Sequence, residues 1–212
     1  MSKLAKRHFW DWFQRHQHEY RELLKQPKKE VMYRLRELDA HLRAYYKFLG
    51  YSLSSPNQGM AKLTITVYGK AKYFKQVEAF VATAPVIPGW SIQALEDAMP
   101  ADFLLDKQIG QLGIDPLECS FSFKDGDQEI IVVYHPLCTD NNSAAFLQLA
   151  FAAVYNLLGE RSYGLQIDTV EVDNLSCADL SSLHPLEELP LHIISHSSCM
   201  AVDGSGLLMN RD

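Results

Sequence analysis

Between Ala144 and Leu158 only Gln148 and Asn156 interrupt a run of small, apolar and aromatic side chains. Asp140, Asn141, Asn142 and Ser143 precede it with oxygens suited to an N-cap, and Gly159 follows as a C-terminal stop, so the run reads as a helix. It falls short of the roughly 18 apolar residues that a membrane span needs. A helix that is apolar nearly all round must be covered on two sides. The fold therefore has to supply a sheet below this helix and a second layer above it, either the N-terminal helices or a second subunit.

The segments around it supply the sheet. Leu63, Ile65 and Val67 alternate with Thr64, Thr66 and Tyr68, which predicts a strand with one face inward. A helix follows over 72–84, its face made by Phe74, Val77, Phe80 and Val81 and its end marked by Pro85. Trp90, Ile92 and Ala94 predict a second strand, whereas 99–116 fits a short helix or a loop folded on the core. The runs 117–124 and 128–134 flank Asp125-Gly126-Asp127, a hairpin signal, and Ile130 to Val133 is apolar on both faces, as a central strand would be. Alternation over 163–172 predicts the last strand. The expected class is α+β, a mostly antiparallel sheet with helices on one face. The order βαβ followed by ββαβ is close to a ferredoxin-like sandwich with one added strand.

An N-terminal helical pair precedes this body. Residues 3–25 place Phe9, Phe13, Tyr20, Leu23 and Leu24 at whole-turn spacing, and Pro27 suits the first turn of a second helix. There Val31, Leu35, Leu38, Leu42, Tyr45 and Leu49 form a seam in steps of four and three before Gly50. The expected division is a helical extension over 1–50, a linker over 51–59, a body over 60–194 and a flexible tail over 195–212. Charge follows the same division: residues 1–50 carry twelve Lys and Arg against six Asp and Glu, and the remainder eight against twenty.

That acidity argues against nucleic acid as the partner, because phosphate neutralisation supplies most of such affinity. The basic helices keep weak binding of this kind as a third reading, although Asp11, Glu19, Glu22 and Glu30 interrupt their stripe. The start of the chain has the charges of a secretory leader without its apolar core, and the four cysteines form no C-x-x-C pair. A cytoplasmic protein with reduced thiols and no membrane contact is expected.

Chemistry-bearing residues are scattered. His192, His196 and Cys199 have zinc-like spacing on a helix, but Ile193-Ile194-Ser195 reads as extended, which would separate the histidines by about 13 Å. No metal and no cofactor are expected. Glu171 and Asp173 share one strand face, with Asp168 on the other, and a lone carboxylate pair is more often solvated than catalytic. His135 and Cys138 stand where a buried strand emerges. Together with Glu171 they define the alternative reading, an enzyme or small-ligand pocket at the sheet ends. The tripeptide His135-Pro136-Leu137 recurs as His184-Pro185-Leu186. Four aromatic residues, Phe9, Trp10, Trp12 and Phe13, cannot all be buried by one helix against a single flat partner. They are the candidate contact residues, since Trp and Arg dominate interface hot spots.

The strings Phe9 to Phe13, Val77 to Pro85 and Gly89 to Leu95 resemble a set of uncharacterised bacterial proteins of similar size. These begin with an aromatic helix and carry a helix ending in Ala-Pro before a Trp-led strand. The resemblance implies a small bacterial cytosolic domain of unknown function with no catalytic residues to transfer. The leading expectation is a non-enzymatic interaction or regulatory module with a protein partner or a second copy of itself.

Overall fold

The computed structural model describes residues 3–54, 59–105, 114–124, 127–197, 201–202 and 208–209. The chain divides into two compact units, Met1–Glu96 and Asp97–Asp212, each with its own apolar core. That division lies inside the stretch 60–194, which the sequence reading takes as one body.

The first unit runs through α1 (Lys3–Arg21), α2 (Lys28–Tyr45), β1 (Gly50–Ser54), β2 (Ala61–Thr66), α3 (Phe74–Val81) and β3 (Trp90–Ala94). Pro27 caps α2 through its carbonyl, which accepts from the Glu30 and Val31 amides, while the missing Pro N–H costs nothing there. The sheet order is β1-β2-β3, antiparallel between β1 and β2 and parallel between β2 and β3. Being central, β2 is closed on both faces. Thr64 and Thr66 are as buried as Leu63 and Ile65, where alternation alone predicts an open polar face. Of the α2 seam, Leu38, Leu42, Tyr45 and Leu49 are buried, and Val31 and Leu35 pack at the core's edge.

The second unit comprises α4 (Asp102–Leu105), β4 (Ser120–Lys124), β5 (Asp127–His135), α5 (Ser143–Gln166), β6 (Thr169–Asn174), β7 (His184–Pro185) and α6 (Leu189–Ser197). A short antiparallel pair, β8 (Ala201–Val202) and β9 (Leu208–Met209), follows. The main sheet has the order β6-β5-β4-β7. Pairing is antiparallel for β4 with β5 and β7, and parallel for β5 with β6. Strand β5 is central, as its two-sided apolar run implies.

These assignments correct the expected single, mostly antiparallel sheet to two mixed sheets among the described residues, with the orders β1-β2-β3 and β6-β5-β4-β7. Two local signals misled. Ser-rich 51–54 reads as linker yet pairs with β2 as an edge strand, so a hairpin precedes the βαβ unit; residues 55–58 lie outside the described ones. Alternation over 163–168 reads as strand, yet the backbone stays helical to Gln166 and β6 begins at Thr169.

Gly159 explains the second error. Its φ of 71° and ψ of 162° interrupt α5, after which a further helical segment forms. A Cβ here would lie 2.5 Å from the Ala98 amide nitrogen, and Met99 N–H donates to Asn156 O at 2.7 Å. The apolar run thus ends where the sequence places its stop, but another turn follows.

The two units differ sharply in charge. Residues 1–96 carry sixteen Lys and Arg against eight Asp and Glu, and 97–212 four against eighteen. The resulting +8 and −14 sum to the chain's −6.

Candidate functional site

The four aromatic residues offered as contacts lie inside the first unit. Phe9, Trp10, Trp12 and Phe13 are 3%, 1%, 8% and 0% exposed. One helix buries all of them because its partners stand on different sides. Trp10 stacks on Phe80 of α3 at 4.8 Å and donates through Nε1 to Phe80 O. Trp12 lies against His41 of α2 at 3.9 Å. Phe13 meets the ring edge of Trp90 at 5.0 Å, and the indole of Trp90 donates to Gln17 Oε1. Rings so enclosed hold the unit together and offer no surface to a partner.

His135, Cys138 and Glu171 do not converge. His135 is 4% exposed, its ring lies 5.3 Å from Phe146, and its Nδ1 accepts from Leu137 N–H at 3.1 Å. That acceptor role places the proton on Nε2, which lies 3.8 Å from Glu118. Cys138 donates its backbone N–H to His135 O, and Asn174 Nδ2 ties the loop down by donating to the carbonyls of Pro136 and Cys138. Burial pushes the Cys138 thiol up, with Asp173 and Asp140 adding to the effect, so this histidine does not prepare a thiolate. His135 pairs with Asn174 in register, whereas Glu171 pairs with Val132 and Asp173 with Tyr134. The carboxylates therefore face away from the imidazole, as alternation along a strand requires. Glu171 accepts from Lys124 Nζ through both oxygens at 2.8 Å.

The metal-like spacing fares differently. Residues 192 and 196 both lie on α6, one helical turn apart, where sequence reading made the segment extended; Cys199 lies outside the described residues. Cys119, Cys138 and Cys177 are free thiols.

What remains is the outer face of α5. Its inner face, formed by Leu149, Ala150, Ala153, Val154 and Leu157, closes the second core. On the opposite side Leu147 and Phe151 are 41% and 44% exposed. Leu147, Phe151 and Tyr155 follow at steps of four and so form one ridge. Tyr163, past the Gly159 break, packs on Phe151 at 5.3 Å and on Tyr155 at 5.4 Å. Residues 143–158 contain no charged side chain in a unit of net charge −14. The demand for a second covering layer is thus left partly unmet on this ridge. The signal that could have named Leu147 and Phe151 was this charge-free run within an acidic half.

No helix among the described residues is long and apolar enough to cross a membrane. No protein family, no curated protein and no solved structure matches this chain.

Proposed function

We propose that this protein is a non-enzymatic interaction module whose contact surface is the outer face of α5 and whose partner there is a second copy of the chain. The carrying observation is the ridge of Leu147, Phe151 and Tyr155, apolar and free of charge in a strongly acidic unit. Interface centres are depleted in charge and enriched in aromatic residues. A two-fold contact brings the same patch of both chains together, so the patch must tolerate its own copy. An uncharged apolar ridge does so, whereas the acidic surface of the same unit would repel itself.

The magnitude indicates a weak dimer. Fully burying a Leu or Phe contributes about 1.5–3 kcal/mol, so covering the exposed parts of Leu147 and Phe151 supplies about 1 kcal/mol each, twice over. Tyr155, Tyr163 and the rim add to this and association entropy subtracts, so the dimer forms only at high protein concentration. Sedimentation velocity over about 5 to 500 µM, the range in which weak dimers populate, should show a mass rising from the 24.1 kDa chain toward its double. Phe151→Glu should hold the protein at the single-chain mass with an unchanged thermal melt. A wild type that stays monomeric throughout, or a Phe151→Glu variant that associates equally well, rules out this surface.

A further inference from the structure

We infer that the second unit carries a site for one divalent transition-metal ion of the zinc class, held by His184, Glu188 and His192. The inference is independent of the α5 contact surface. One ligand atom from each residue lies within 4.8 Å of the other two. The three come from successive pieces of backbone: His184 from β7, Glu188 from the 3-10 turn Leu186–Glu188, and His192 from α6.

The local fold explains their meeting. Strand β7 places His184 directly opposite Phe121 of β4. The chain then turns, anchored by Leu186 and Leu189, both fully buried, and by the Leu186 N–H donating to Cys119 O at 3.0 Å. Because the turn runs straight into α6, Glu188 and His192 fall four residues apart on one helical face. Glu188 Oε2 lies 3.9 Å from His192 Nε2. The imidazoles of His184 and His192 are 4.0 Å apart between centroids and tilted by 46°. Both rest against the fully buried ring of Phe121, at 5.6 and 5.5 Å.

An ion pair between Glu188 and His192 would account for two of these groups. It does not account for His184 converging on the same point from the neighbouring strand. Two imidazoles and one carboxylate form a borderline-hard donor set suited to Zn²⁺ and its neighbours rather than to Ca²⁺ or Mg²⁺. A tetrahedral zinc ion with bonds of about 2.0 Å keeps its donors about 3.3 Å apart. The carboxylate of Glu188, its side chain 47% exposed, can swing inward to close the difference. The apolar backing of Phe121 fixes the two rings while solvent reaches the exposed side, so three protein ligands leave a fourth position for water or another donor.

The test uses the full chain after chelation and dialysis. Titration with Zn²⁺ by calorimetry should show one ion per chain with Kd on the order of micromolar. Co²⁺ should give visible d–d absorption without a thiolate charge-transfer band in the near ultraviolet. Glu188→Gln and the double variant His184→Gln/His192→Gln should weaken binding by at least about tenfold, the loss typical of perturbing even an outer-shell partner. His18→Gln, on the exposed surface of α1, should bind as wild type does. A thiolate band, which needs no variant to be read, would place the ion on a cysteine and overturn the assignment. So would binding that survives the double substitution, or no saturable binding below about 1 mM, a Kd equivalent to only about 4 kcal/mol.

Discussion

Cys119 is 1% exposed, and burial pushes its thiol up to about 12, with Asp115 and Glu118 adding to the shift. Tyr51 behaves alike: burial raises its phenol to about 12, helped by Asp39, while its hydroxyl donates to Leu35 O at 2.7 Å. Both groups ionise more readily in the unfolded chain, so the folded state holds more protons as pH rises and stability falls with pH. The contribution is whole below the unfolded values, near 9 for the thiol and 10 for the phenol, and is lost progressively toward about 12. Urea midpoints should therefore drop as pH rises from about 9 toward 12, the span between the unfolded and folded ionisations. Tyr51→Phe should reduce the slope, and a flat profile would contradict these burials.

At the scale of elements, α1 and α5 are both aromatic but behave oppositely on substitution. Phe9 stacks with Phe13 and contacts Phe80 at 5.3 Å, so Phe9→Ala should cost about 3–5 kcal/mol through the cavity it leaves. All three tryptophans lie in the first unit, and a urea melt followed by their fluorescence reads that loss. Gly159→Ala should cost about 2–4 kcal/mol, combining left-handed backbone strain with overpacking against the Ala98 backbone. Far-UV circular dichroism during unfolding checks it; an unchanged or raised stability, as the Gly-to-Ala entropy change alone would give by stabilising about 0.4–1 kcal/mol, would contradict the close approach. What was legible follows the same elements. The α2 seam, β3 and the stop at Gly159 were readable because each is a local pattern. Strand β1 was not, since Ser52 and Ser54 look like linker until β2 supplies their hydrogen-bond partners. The aromatic start of α1 misled because its burial depends on α2 and α3 closing from different sides. The spacing His184-x3-Glu188-x3-His192 was hidden because it crosses a strand, a turn and a helix.

For the whole molecule, the two units share a connectivity that residue patterns showed in the second unit and, but for β1, in the first. An antiparallel pair (β1 with β2, β4 with β5) is followed by a helix (α3, α5) and a strand parallel to the second (β3, β6). Against this common frame the charge is divided, +8 in one unit and −14 in the other. The isoelectric point of about 5.7 is therefore an average that describes neither unit. An ion-exchange resin responds to the surface it meets within a Debye length, about 30 Å at 0.01 M salt and 10 Å at 0.1 M. At neutral pH and low salt, a sulfonate resin should retain this protein through its first unit despite the net charge of −6. A quaternary ammonium resin should retain it through the second. Purification on the two columns in succession would thus select for an intact chain, because each fragment left by a cut near Glu96 would bind only one.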